Sequence, residues 1–171
     1  MFKLNVPYHS QYDPSIPEEW RPRSCGIAAL HMALSVKHPG VCQTWDLIQE
    51  GLAVGAYKQG VGWVHSGLVN LAKAHNATGT YRKEFRSWFW KTFSGASTYY
   101  LMRALKNGKV PIVSLTVAGK TDTHLVPLIG YDNTGFYYHE PAAHSEAEGA
   151  SHFISYTDFC IRFRRLAIFV H

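Results

Sequence analysis

Cys25 is the residue of this sequence best placed to act as a nucleophile. Pro22 disfavours helix before it and Ser24 is a candidate N-cap, so Cys25 falls in the first turn of a predicted helix. The apolar face of that helix repeats at helical spacing, at Ile27, Leu30 and Leu34. Unpaired amides and the positive end of the helix dipole favour a thiolate there. The alternative is an ordinary buried cysteine that packs as a small apolar residue.

A thiol nucleophile needs a base, a group that orients the base, and hydrogen-bond donors for the oxyanion. His124 begins one strand of a predicted hairpin and Glu140 ends the other, with a polar turn at 132–135 between them. Because paired hairpin strands run antiparallel, we expect His124 and Glu140 to be neighbours, so that the carboxylate fixes the imidazole tautomer. Gln11 is the candidate oxyanion donor, together with the backbone amide of Cys25.

Each of these partners also has an ordinary structural interpretation. A histidine in an apolar strand is often a hydrogen-bonded structural residue, Glu140 can be a solvated carboxylate, and Gln11 can be a turn residue. With ten histidines in the chain, some suitable spacing arises by chance. The combination with Cys25, in a sensible order along the chain, is what favours an active site. His9 and His139 adjoin the candidates and are expected to border the site without acting in it.

The elements that must position these residues follow from hydrophobic periodicity and turn signals. Helices are predicted from 25 to about 38, at 45–52, at 64–75 and from Ser97 or Thr98 to 106, with Thr44 capping the second. Strands are predicted at 79–85, 110–117, 124–131, 136–139 and 165–170, a loop at 141–151 and a short helix at 156–160. Helices come first and antiparallel strands later, which predicts an α+β fold. At 171 residues, residues 1–171 are expected to form one domain.

Composition and charge exclude several classes of protein. Apolar residues make up 46% and charged residues 17% of the chain, which is typical of a folded domain and not of a disordered segment. The net charge is +5, but the basic residues are scattered. Arg162 and Arg164 alternate with apolar residues and are interpreted as the solvated face of a strand. Nucleic-acid binding requires a clustered basic stripe and is not expected.

The three cysteines and the termini limit the compartment and the cofactors. Cys25, Cys42 and Cys160 fit neither a disulfide framework nor a zinc motif, and the last two are interpreted as structural. No metal or cofactor is expected. The N-terminus has no signal-peptide apolar region and no later run approaches a membrane span. A cytoplasmic protein without membrane contact is therefore favoured, although a secreted protein lacking its export signal fits equally well.

Five ordered motifs carry a resemblance to a known family. They are Val-Pro-Tyr-His-Ser-Gln11, Ser-Cys25-Gly-Ile-Ala-Ala-Leu, Asn107-Gly-Lys-Val-Pro-Ile-Val, Thr-His124-Leu-Val-Pro-Leu-Ile-Gly-Tyr-Asp and Phe-Tyr-Tyr-His-Glu140-Pro. The chain resembles the C39-like peptidases, papain-like cysteine peptidases whose best-known members remove double-glycine leader peptides. The resemblance implies a papain-like fold in which a nucleophile helix packs on a C-terminal antiparallel sheet. It also implies the roles of nucleophile, base, orienting residue and oxyanion-hole donor for Cys25, His124, Glu140 and Gln11.

Two departures from the family pattern keep other functions open. The family usually has aspartate where this chain has Glu140, and an aromatic residue where it has Leu125. A cysteine peptidase or amide hydrolase acting on a peptide or protein is the leading hypothesis. The alternatives are a catalytically inactive module that binds a peptide or protein, and an acyl transferase of the transglutaminase type. The glycine-rich stretch 51–62 and the aromatic stretch 88–93 are the candidate walls of the cleft.

Overall fold

A computed structural model describes residues 1–37, 40, 42–85, 94–117 and 123–171 of the chain. The aromatic stretch 88–93, which was a candidate cleft wall, lies outside these residues. So does Pro39, where the first helix was predicted to stop.

The described helices form two groups that lie on opposite faces of one sheet. They are α1 (Cys25–Ser35), α2 (Thr44–Ala53), α3 (His65–Ala74), α4 (Ser94–Lys106), α5 (Glu146–Gly149) and α6 (Tyr156–Arg162). The first three pack against each other and, through α1 and α3, against the sheet. They share one buried apolar cluster with the sheet residues Ile112, Leu125 and Ile168. The second cluster joins α4 and α6 to the other face of the sheet through Val113, Val126 and Ala167.

The sheet contains seven of the described strands, and every neighbouring pair is antiparallel. Its strands are β1 (Phe2–Lys3), β4 (Tyr81–Glu84), β5 (Val110–Thr116), β6 (Thr123–Tyr131), β7 (Gly135–Tyr138), β8 (His152–Ser155) and β9 (Phe163–Val170). Their order is β4-β9-β5-β6-β7-β8, with β1 paired to the end of β6. Successive residues of a strand point to opposite faces, so the central strands β5, β6 and β9 feed both apolar clusters. The predicted α+β class and the helix-on-sheet arrangement are confirmed.

One predicted cap bond and two predicted helix starts need correction. Ser24 stands at the N-cap of α1, but its hydroxyl donates to the carbonyl of Trp20 at 2.6 Å instead of accepting from the helix. Gln43, not Thr44, caps α2, in a reciprocal pair with Asp46. The fourth helix begins at Ser94, so the predicted caps Ser97 and Thr98 lie inside it. Serine and threonine are common caps, but a local sequence does not say which of several neighbours is used.

The C-terminal third holds further corrections. The 141–151 stretch predicted as a loop contains α5, whose first turn is capped by the Ser145 hydroxyl. Arg162 ends α6 and its guanidinium donates to the Thr116 carbonyl at 3.0 Å, so it is not part of a solvated strand face.

A small separate hairpin lies in the glycine-rich stretch that was predicted to be irregular. It consists of β2 (Tyr57–Lys58) and β3 (Gly62–Trp63). No helix in the described ranges is long and apolar enough to cross a membrane.

Candidate active site

Cys25 is the first residue of α1, and a glycine brings it against the sheet. A short 3-10 turn at Arg21–Arg23 precedes the helix, and the thiol is partly exposed while the rest of α1 is buried. Gly26 lies so close to β6 that a Cβ placed there would be 2.9 Å from the Leu125 side chain. A larger residue at this position would require the Leu125 side chain to move, because such a contact is shorter than packed carbon atoms tolerate.

The β6–β7 hairpin brings His124 and Glu140 together as the topology predicted. His124 is the second residue of β6, and Glu140 lies two residues beyond the end of β7. The imidazole Nε2 is hydrogen-bonded to Glu140 Oε1, and the amide of Ala142 donates to the same carboxylate oxygen at 2.9 Å. The His124 ring also lies close enough to the Cys25 thiol for the two groups to interact electrostatically. Because Nε2 faces the carboxylate, Nδ1 is the nitrogen left for the thiol.

Hydrogen bonds from the Tyr8 side chain and within the loop itself hold the segment that follows Glu140 in place. The Tyr8 hydroxyl donates to the carbonyls of Glu140 and Ala143, both at 3.0 Å. The Glu140 amide donates to the Gly149 carbonyl at 2.8 Å. A Cβ at Gly149 would lie 2.3 Å from the Tyr8 hydroxyl oxygen, so only glycine leaves room for that tyrosine. These contacts fix the backbone position from which the Glu140 side chain, longer than that of aspartate, reaches His124.

The electrostatics of the pair favour a charged imidazole. Burial by itself lowers the pKa of His124, but the hydrogen bonds and charges of Cys25 and Glu140 outweigh it and raise the pKa to about 10. Burial likewise opposes ionisation of Glu140, but the hydrogen bond and charge of His124, with the Ala142 amide, hold the pKa of that carboxyl below its usual range. The two side chains are 15% and 25% exposed, so solvent screens them little. An imidazolium next to a carboxylate is the charge state that this arrangement stabilises.

Gln11 lies beside the same loop. Its backbone amide donates to the Pro141 carbonyl at 2.8 Å, which places it one residue from Glu140. The side chain is only 3% exposed, and its Oε1 has no hydrogen-bond partner among the described residues. A buried amide oxygen without a partner is unusual, because leaving it unpaired costs free energy. Its role as oxyanion donor stays a prediction.

A cleft of about 430 Å³ opens next to Cys25. On one side it is lined by the β2–β3 hairpin, including Tyr57, Val61 and Trp63, and on the other by sheet residues such as Leu125. The indole of Trp63 donates to the Arg23 carbonyl at 2.8 Å and its ring packs against Tyr57. The glycine-rich stretch 51–62 therefore does supply part of a cleft wall, as predicted.

Sequence reasoning missed the basic residues of this cleft. His65, Arg82 and Arg164 all line it, and Arg164 had been interpreted as part of a solvated strand face. The three residues belong to different elements, α3, β4 and β9. No local pattern connects them, so only the packing of these elements reveals the group.

The flanking histidines have structural partners. His139 is buried, donates from Nε2 to the Val6 carbonyl at 2.8 Å and accepts at Nδ1 from the Ser151 amide at 3.1 Å. His9 stacks on the buried His31 with ring centroids 3.7 Å apart. Both flanking histidines thus hold the N-terminal segment in place.

All three cysteines are free. Cys42 is half-buried, and burial together with nearby carboxylates raises the pKa of its thiol to about 11. Cys160 is exposed, so the structural role predicted for it is wrong. Within the described residues, no group of three or more metal-ligating side chains comes together.

Comparison with protein families gives one family over almost the whole chain. The model of the Peptidase_C39 like family matches residues 3–165. Comparison with curated proteins gave no match.

Three solved structures share the fold, each at 16% sequence identity. A double glycine motif protease from an AMS/PCAT transporter, in complex with the leader peptide, superposes with a TM-score of 0.58 over 98% of this chain and 93% of that one. A protein described as a C39-like peptidase from Bacillus anthracis gives 0.59 over 100% and 98%. The peptidase domain of Streptococcus ComA, a bifunctional ABC transporter of a quorum-sensing pathway, gives 0.55 over 87% and 92%.

Proposed function

This chain belongs to the Peptidase_C39 like family, and we propose that it is a cysteine peptidase that uses Cys25, His124, Glu140 and Gln11. The contact from the Cys25 thiol through the His124 ring to the Glu140 carboxylate carries the proposal. A catalytic thiol requires this order of groups: nucleophile, base and a carboxylate that orients the base. The leader peptide bound to one protease of the same fold supports a peptide as the substrate.

In the proposed reaction the free enzyme holds a thiolate–imidazolium pair. The Cys25 thiolate attacks the scissile carbonyl carbon, and the side-chain amide of Gln11 with the backbone N–H of Cys25 stabilises the oxyanion. The His124 imidazolium gives its proton to the leaving amine, and the C–N bond breaks to leave an acyl-enzyme. His124 then takes a proton from water, the hydroxide attacks the thioester, and the acid product leaves as the thiolate returns. Glu140 holds the tautomer and the charge of His124 throughout.

The raised pKa of His124 sets the pH range of the ion pair. The imidazole is protonated below about 10, so the pair persists through neutral pH and is lost as the pH rises through that value. Activity is therefore expected over a broad plateau that includes pH 7.

Alkylation of the cysteines tests the thiolate directly. Iodoacetamide labelling at each cysteine is followed by mass spectrometry between about pH 5 and 9, in the wild type and in His124→Ala. We expect Cys25 to react well below the free-thiol pKa of about 8.5, and to lose this advantage in the variant. Two internal references exist: Cys160 is an exposed thiol and Cys42 is a half-buried one whose pKa is about 11.

A peptide library then tests turnover. Cys25→Ala should abolish cleavage while leaving the melting temperature unchanged, because the thiol is partly exposed and contributes little packing. Cys25 labelling no faster than Cys160 at pH 6 would refute the proposed nucleophile and would favour the peptide-binding module. Analysis of the products in the presence of an added amine separates hydrolysis from acyl transfer.

A further inference from the structure

One end of the cleft that begins at Cys25 is basic. Arg82 from β4 and Arg164 from β9 line it, and these two strands are paired, so their side chains come to one edge of the sheet. His65, the first residue of α3, lies close enough to both guanidiniums for their charges to act on its ring. We call His65, Arg82 and Arg164 the basic end of the cleft.

The charge at the basic end is only partly neutralised. Arg82 is 3.4 Å from Glu84, an exposed pair that shares the charge of one guanidinium. No ion pair or hydrogen bond of Arg164 is present among the described residues, and the protein as a whole carries a net charge of +5. Both arginines are exposed to solvent at the cleft, so an anion can reach them, and several positive charges lining one cleft attract an anion more strongly than a single one on an open surface.

His65 adds a polar atom that lacks a partner. Its Nε2 is buried and meets no hydrogen-bond acceptor or donor in the part of the chain that the structure describes. Burial, followed by the charges of Arg82 and Arg164, lowers the pKa of His65, so the ring is neutral at pH 7 and can donate one N–H. The N-cap of α3 is Val64, which has no side chain able to cap the helix. Val64 and His65 both line the cleft, so the positive end of α3 faces it.

We propose that the basic end binds a carboxylate of the substrate, so that the enzyme selects peptides with a negative charge near the scissile bond. A guanidinium with a neighbouring N–H donor matches the two oxygens of a carboxylate, and charged hydrogen bonds of this kind are the strong ones. Tyr57, Val61 and Trp63 give the same cleft an apolar part, and Arg23 lines it two residues before Cys25. The apolar part suits the uncharged portion of the same peptide.

The proposal rests on the proposed function, since it assumes that the peptide lies in the cleft with its carbonyl at Cys25. The carboxylate has two possible sources, an acidic side chain and the free C-terminus of the peptide. Both have the same charge and shape, and the test below separates them.

The test uses three iodoacetyl probes that alkylate Cys25 and differ by one group. They are iodoacetyl-glutamine amide, which is neutral, iodoacetyl-glutamate amide, with a side-chain carboxylate, and iodoacetyl-glutamine with a free C-terminus. Each is made with zero to three glycine spacers, and each spacer extends the reach by roughly 3.5 Å. Rate constants for Cys25 are measured by mass spectrometry. Work at pH 9 makes the comparison independent of whether Cys25 is an activated thiolate, because an ordinary accessible thiol also reacts there.

We expect at least one acidic probe to react roughly tenfold faster than the neutral probe of equal length, as one charged hydrogen-bonded pair provides. The preference should disappear in Arg164→Gln and fall less in Arg82→Gln, whose charge Glu84 already shares. Raising the ionic strength to about 1 M should also reduce it. Arg103→Gln is the matched control. Arg103 is exposed on α4, so this substitution removes the same charge at a position outside the cleft.

Two results would overturn the inference. One is equal rates for acidic and neutral probes at every spacer length in the wild type. The other is a preference that Arg103→Gln reduces as much as Arg164→Gln does, since that would mean general charge attraction. Failure of the proposed function looks different: iodoacetamide would label Cys25 slowly at pH 6, while the probe ratios at pH 9 would still report on the basic end.

Discussion

Replacing Glu140 by glutamine removes the charge behind His124 and keeps the shape of the side chain. The glutamine oxygen can still accept from His124 Nε2 and from the Ala142 amide, as the carboxylate oxygen does. A hydrogen bond to a charged group contributes about 1.5–3 kcal/mol and a neutral one about 0.5–1.5 kcal/mol. The variant therefore loses about 1.5 kcal/mol of stabilisation of the imidazolium, which corresponds to about one pKa unit and about tenfold in rate.

Two observables follow from this loss. The pKa of His124 should fall by about one unit from about 10, which leaves the ring still protonated at pH 7. The ion pair should therefore survive at pH 7, and the alkaline limit of the pH–activity profile, where His124 loses its proton, should move down by about one unit. On a cleaved peptide, kcat/KM at pH 6–7 should fall about tenfold, much less than in Cys25→Ala or His124→Ala.

The controls separate charge from structure. Glu146→Gln removes an exposed carboxylate from the neighbouring α5 and should leave both profiles unchanged. Glu140→Asp restores the charge on a shorter arm and should recover part of the rate. A Glu140→Gln profile identical to the wild type would mean that another group orients His124. A loss as severe as that of His124→Ala, with an unchanged melting temperature, would also refute the reasoning, because a single charge would then carry the whole ion pair.

Two further predictions concern buried polar groups near the site. Gln11→Ala should lower kcat/KM by about 10²–10³-fold, as removal of one oxyanion donor does. The rate of Cys25 alkylation by iodoacetamide should not change, because that reaction forms no oxyanion. An equal fall in both rates would contradict the role of Gln11 as an oxyanion donor. Burial, and next the charge of His9, lower the pKa of His31 to about 4 in the folded protein. Between about pH 6.5 and 4 the imidazole therefore binds a proton in the unfolded chain but not in the folded one. The folded protein loses stability as the pH falls through that range. The free energy of unfolding, measured with urea at pH 7 and 4, should fall by about 3 kcal/mol. In His31→Gln this fall should be smaller. Equal pH dependence of stability in the two proteins would show that His31 does not have the lowered pKa.

Some parts of the site could be predicted from the sequence because they depend on neighbours in the chain. The period of the apolar residues and Pro22 determine where α1 begins, so Cys25 could be assigned to its first turn. The turn at 132–135 determines that β6 and β7 are antiparallel, which brings His124 and Glu140 close by geometry alone. Motif order along the chain similarly identified the family that the comparison confirms.

Local patterns failed where several residues of the same type compete. Ser97 and Thr98 are good caps by type, yet α4 begins at Ser94. Arg162 and Arg164 looked equivalent, but the first ends α6 and binds a carbonyl, while the second lines the cleft. Cap choice and side-chain direction depend on which element packs nearby, and that information is not contained in the neighbouring residues.

Only the tertiary structure decided what surrounds the thiol. Cys25 approaches His124 where Gly26 of α1 lies close to Leu125 of β6, so that a helix and a strand far apart in the chain meet. The basic end exists because β4 pairs with β9 and α3 begins beside them. The sequence determined the residue types and the local elements, since helix period and hairpin direction are properties of adjacent residues. Long-range strand pairing and helix docking determined the cleft, because they depend on burying both faces of one sheet at once.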